Sequence, residues 1–192
     1  MINPIYKFNR LEQNTIKKLI EYSKNKRVEA SRVLKSNQDI TDKFIIFEDK
    51  YNCRLIPKGE KLPCENTNCP IFFHSKAKML LRDSTYIHYH PRTLPLSIGD
   101  IYTAVMNRIK KIVAVTAEGT YSVFMPNYKM GEFTAKRDLL VANNKLSRIV
   151  RENGGEGYIL DNPVIFEKYK QGLNEFIQSL AQKTDSKYFS NI

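Results

Sequence analysis

Between Ser84 and Met106 the hydrophobic period of the chain changes from two to about 3.6, which marks a strand followed closely by a helix and so points to a fold that mixes the two. Tyr86, Ile87 and Tyr89 are β-formers and Pro91 ends their run, which predicts a strand over Ser84–His90. Ile101, Val105 and Ile109 recur at every fourth position with Tyr102 and Met106 beside them, which predicts a helix. Ser97 occupies the N-cap position of that helix, three residues before Asp100. A loop of six residues separates His90 from Ser97, so the chain passes from strand to helix almost without interruption. Side chains at i and i+2 of a strand leave the same face, so His88 and His90 point together. Asp100 projects from the first helical turn toward the strand end.

Two neutral imidazoles and one carboxylate make a three-ligand set whose fourth position stays open to water, the arrangement of a catalytic rather than a structural zinc. His88, His90 and Asp100 are therefore candidate metal ligands. Ser97 and Asp100 taken alone also fit a capping box, the acid complementing the helix dipole.

The motif His88-x-His90-Pro91 followed by Ser97-x-x-Asp100 resembles the signature of the JAMM (MPN-plus) metalloproteases, zinc isopeptidases that remove ubiquitin-like modifiers. The spacer of six residues before the serine is one shorter than the family's usual seven. The resemblance implies an α/β (α+β) fold: a mixed, cytidine-deaminase-like β-sheet flanked by helices. It implies Zn2+ held by His88, His90 and Asp100, Ser97 as the oxyanion stabiliser, and an upstream glutamate as general base. In the family that glutamate follows the first helix at the start of the first strand, a place that Glu29 takes here.

The preceding chain has the matching order. Asn14 to Lys24 predicts an amphipathic helix with Asn14 as its cap, Ala30 to Leu34 a short strand, Asn37 to Thr41 a turn, and Lys43 to Phe47 a second strand. A hydrolase of this kind needs a carboxylate near the attacking water, and Asp42 and Glu48, which flank the second strand, compete with Glu29 for that role. From 49 to 70 the chain is a polar insertion. Cys53, Cys64, Cys69 and His74 form a Cys-x10-Cys-x4-Cys-x4-His series similar to CCCH zinc fingers, a candidate for a second, structural zinc, with free thiols as the alternative. Phe72 to Leu81 predicts a helix leading into the histidine strand. Lys111–Thr116 is a strongly apolar strand, Glu118-Gly119 a turn, and Thr120–Met125 its alternating partner.

The resemblance thus spans about Asn14 to Pro126, giving a JAMM-like domain over 1–126 and a helical extension over 127–192 packed on it. In the extension Lys136–Arg151 predicts a helix, Gly154, Gly155 and Gly157 a helix stop, and Asn162-Pro163 the start of a final helix with Ile165, Tyr169, Leu173, Phe176, Ile177 and Leu180 on one face. The net charge of +11 admits an acidic partner or nucleic acid, although its lysines and arginines are spread along the chain. No stretch has the length and apolarity of a membrane span, and the first residues lack a signal-peptide run. A cytoplasmic protein is the expectation, signal-free secretion leaving no mark on the residues. Three functions remain open: a zinc metallopeptidase or isopeptidase acting on a peptide or ubiquitin-like modifier, an inactive MPN-like scaffold, and a basic nucleic-acid-binding protein with a CCCH-like site.

Overall fold

The six residues of Lys111–Thr116 are all buried, and this strand is the middle of the structure. A computed structural model of the chain describes residues 5–26, 28–48, 53–58, 75–128 and 162–192, with positions 141, 144 and 152. The strands are β1 (Ser31–Lys35), β2 (Gln38–Asp39), β3 (Phe44–Glu48), β4 (Cys53–Pro57), β5 (Thr85–His90), β6 (Lys111–Thr116), β7 (Tyr121–Met125) and β8 (Lys187–Ser190). The helices are α1 (Arg10–Lys26), α2 (Ser75–Leu81), α3 (Ile98–Met106) and α4 (Pro163–Lys183).

Six strands form one mixed sheet in the order β2-β1-β5-β6-β7-β8. Only β5 and β6 run parallel, because α3 carries the chain back to the starting edge between them. Every other pairing in this sheet is antiparallel. β3 and β4 stand apart as a two-stranded hairpin. Burial on both faces explains why β6 reads as an unbroken apolar run rather than an alternating one.

Each face has its own core. On one, Val33, Tyr86, Ile112, Ala114 and Phe124 meet Ile101, Ala104 and Val105 of α3 and Leu173, Ile177, Leu180 and Ala181 of α4. On the other, Leu34, Ile87, Tyr89, Val113, Val115 and Val123 meet Leu19 of α1, with Ile16 and Ile20 half-buried beside it. Leu19 is fully buried, and at roughly 1.5–3 kcal/mol for such a side chain it is a principal anchor of α1. The architecture is mixed α/β, a mixed sheet flanked by helices.

Several details differ from the sequence reading. α1 begins a turn earlier than Asn14, because Asn9 Oδ1 accepts from Glu12 N at 2.9 Å and Glu12 Oε2 accepts from Asn9 N at 3.1 Å, a reciprocal cap. Asn14 lies inside the helix. The strand after β1 is not Lys43–Phe47 but the short β2, joined through Ser36 and Asn37 at φ 51° and 60°, the two positive values of a type I′ hairpin turn. The expected second strand is β3, which leaves the main sheet to pair with β4. The C-terminal part is not purely helical: after Asp185, at φ 51°, β8 joins the sheet edge beside β7. The Lys-Tyr-Phe-Ser sequence of β8 sets two aromatic residues side by side and does not alternate, so no period of two announces the strand. The expected helix over 136–151 and the glycine stop at 154–157 lie outside the described residues, apart from helical positions at 141, 144 and 152. No helix among the described residues is long and apolar enough to cross a membrane.

β8 packs a half-buried phenol, Tyr188, against the first core. Burial pushes Tyr188 up to about 12, against hydrogen bonds with Ser190 and Ser122 that pull it down. The folded state thus favours the neutral phenol. Its stabilisation is complete below the ordinary value of 10.0 and is lost as pH climbs from there through about 12. Thermal melts between pH 9 and pH 12 are expected to fall less steeply for Tyr188→Phe than for wild type.

Candidate metal centre

The pairing of β1 with β5 sets Ser31 opposite His88, and Tyr89 N donates to Ala30 O at 2.8 Å. Continuing this antiparallel register by two residues puts Glu29 opposite His90, on the face shared by Ser31, His88 and His90. Across the sheet, His88 lies in a row with Ser31, Ala114 and Ser122. Those small neighbours leave room for an imidazole on a face otherwise filled by α3.

At this strand end the donor atoms converge. His88 Nε2 and His90 Nε2 are 2.8 Å apart; His88 Nε2 is 3.4 Å from Asp100 Oδ1, and His90 Nε2 is 3.7 Å from Asp100 Oδ2. Glu29, His88 and His90 each offer a ligand atom within 4.8 Å of the others. Burial is graded, His88 being 2%, His90 13% and Asp100 20% exposed at the side chain, so the cluster opens outward from His88 toward Asp100.

Local structure aims each group. Ser97 caps α3 at φ −80°, ψ 166° and forms the full capping box: its N–H and its hydroxyl both donate to Asp100 Oδ2 at 2.7 Å, and its Oγ accepts from Asp100 N at 3.1 Å. The capping box and the ligand arrangement are therefore compatible, since the box holds Oδ2 and leaves Oδ1 facing His88. His90 Nδ1 lies 3.0 Å from Leu94 O. A carbonyl only accepts, so Nδ1 carries the proton and Nε2 turns a lone pair into the cluster. His88 Nδ1 is buried and has no hydrogen-bond partner among the described residues.

The charges of the cluster act on one another. Burial, followed by the charge of His88, pushes His90 down to about 4 against Asp100 and the Leu94 and Pro95 carbonyls. Burial also works against a charged His88, but the charge and hydrogen bond of Asp100 and the charge of Glu29 outweigh it and raise His88 above its ordinary value. Burial works to raise the Asp100 carboxyl, yet His88, His90 and the Ser97 hydrogen bond hold it well below the usual carboxylate range. Two carboxylates thus demand positive charge at a point where a neutral imidazole offers a lone pair. Such a donor set fits a divalent cation, zinc included.

Of the carboxylates competing for the base, Glu29 stands in the cluster. Asp42 is exposed on the 3₁₀ turn Thr41–Lys43, and the side chain of Glu48 is outside the described residues, as are Cys64, Cys69, His74 and the side chain of Cys53. Sequence reasoning missed two groups beside the cluster, the Leu94 carbonyl, 3.0 Å from His90 Nδ1, and Ser122, whose Oγ accepts from Leu96 N at 2.8 Å. A serine on the same strand face as Phe124 was the available signal. Comparison of the chain with protein-family models, with curated proteins and with solved structures found no match.

Proposed function

We propose that the chain is a zinc-dependent hydrolase of the JAMM type, with an MPN-like fold, that cleaves a peptide or isopeptide bond, a ubiquitin-like modifier being the substrate class that the resemblance implies. The observation that carries the reading is the convergence of His88 Nε2, His90 Nε2, Asp100 Oδ1 and the Glu29 carboxylate at one end of β5. His88, His90 and Asp100 would hold the zinc, which supplies Lewis acidity and lowers the pKa of a water.

The residues divide the remaining work. Glu29, on the strand beside the histidines, takes the proton from the attacking water and delivers it to the leaving amine. His90 is kept in its ligating tautomer by Leu94 O. Ser97 is the donor beside the carbonyl oxygen that gains negative charge. To serve there its hydroxyl rotates away from Asp100 Oδ2, while the Ser97 N–H keeps that oxygen in place. The buried wall behind His88, with Ala114 and Val33 fully buried, keeps water out from below and strengthens these interactions.

The test combines metal analysis with turnover. The purified protein is expected to bind a single zinc per chain, to lose it in His88→Ala and in His90→Ala while its circular dichroism stays unchanged, and to hydrolyse a fluorogenic isopeptide conjugate in a chelator-sensitive way. A wild type that holds no divalent ion when offered excess zinc would overturn the reading. Zinc binding without cleavage of linear or branched peptides would point instead to the inactive scaffold, a reading favoured by the full engagement of Ser97 in the capping box.

A further inference from the structure

The loop over 91–97 joins the histidine strand to α3, and its deepest point is Leu96, which is fully buried. The backbone N–H of Leu96 donates to Ser122 Oγ at 2.8 Å. Ser122, itself fully buried, sits two strands away from His88 in the same row of the sheet. Two residues before Leu96, the Leu94 carbonyl takes the Nδ1 proton of His90; one residue after it, Ser97 begins the capping box that holds Asp100. A single side chain therefore anchors the backbone from which both a histidine and a carboxylate of the cluster are aimed.

The strand that carries Ser122 is held in turn by β8, which pairs with it, and the Tyr188 phenol of β8 donates to Asn174 Oδ1 on α4. We propose that Ser122 is a positioning residue for the metal centre: through the Leu96 N–H it fixes the Leu94 carbonyl, and so keeps His90 with Nδ1 protonated and Nε2 free to ligate. This rests on the zinc reading for its purpose, but the effect on His90 belongs to the metal-free protein.

Serine meets the demand of the place, its small hydroxyl accepting from the loop N–H inside the sheet. Alanine leaves the buried Leu96 N–H without its acceptor, and the loop relaxes to find another. Supporting shells of this kind alter metal affinity by about 10–100-fold when broken.

The experiment reads the His90 ring by long-range proton–nitrogen NMR in the metal-free chain and then measures zinc affinity by competition with a chromophoric chelator. In wild type, Nδ1 is expected to carry the proton. Ser122→Ala should mix the two tautomers and weaken zinc binding about 10–100-fold, whereas Ser122→Thr, which retains the acceptor, should stay near wild type in both. Val123→Ala, which opens a cavity on the opposite face of the same strand, should lower the melting temperature and leave both readouts in place. If Ser122→Ala does not fold, Ser122→Cys, of similar volume and a weaker acceptor, should give an intermediate shift. An unchanged His90 tautomer in Ser122→Ala or Ser122→Cys, or an equal change in Val123→Ala, overturns the proposal. A wild type without zinc affinity sinks the hydrolase reading instead, and the tautomer comparison still decides this one.

Discussion

Replacing Lys111 with methionine is expected to cost the fold about 3–5 kcal/mol, the usual consequence of stranding one member of a buried ion pair. Lys111 begins β6 and is 6% exposed, Glu12 near the start of α1 is 4% exposed, and the Lys111 ammonium binds the Glu12 carboxylate directly. Tyr6 OH accepts from the same ammonium at 2.8 Å, and its ring lies 4.9 Å from it. Without the lysine, the buried Glu12 carboxylate would lose its counter-charge. Glu12→Gln alone should be similarly harmful, because the amide still caps Asn9 N but leaves the ammonium without a counter-charge. Glu12→Gln combined with Lys111→Met removes both charges and should recover most of the loss. Urea midpoints for the two single variants and the double variant decide this, and additive losses would show that the two charges act independently.

The second large effect is on turnover. Glu29→Gln is expected to lower kcat by about 10²–10⁴-fold, the contribution of a well-placed general base, with bound zinc retained. The amide is nearly isosteric and cannot take a proton. Its carboxylate parent already stands within 4.8 Å of the histidine donor atoms, close enough to serve a water held between them. Zinc stoichiometry measured alongside kcat makes the outcome informative. Should zinc disappear together with activity, Glu29 is a ligand, and the proton acceptor must be sought elsewhere.

The junction between β5 and α3 was legible from sequence because everything in it is local. The parity of His88 and His90 follows from strand period, and Ser97 and Asp100 follow from helix-cap spacing. Glu29 could be suggested from its position after α1, but its place opposite His90 depends on the β1–β5 register, a long-range pairing that no local pattern encodes. The start of α1 was misplaced because Asn9 and Glu12 cap through a reciprocal bond, while Asn14 fits the same preference one turn later. The departure of β3 into its own hairpin is likewise a choice among strand partners, invisible to period and composition. Ser122 was passed over because an inward serine on a strand acquires meaning only from what faces it, here the Leu96 N–H.

The sheet draws its six strands from nearly the whole described chain, and the last of them, β8, closes the edge beside β7. The Phe189 ring lies 5.2 Å from that of Tyr6, so the first and final aromatic residues of the described chain meet. During synthesis, β7 emerges long before the strand that covers it, and until then its backbone groups face outward as a template for stray pairing. A chain held before β8 has formed should therefore expose the β7 edge and aggregate more readily than one in which β8 is paired.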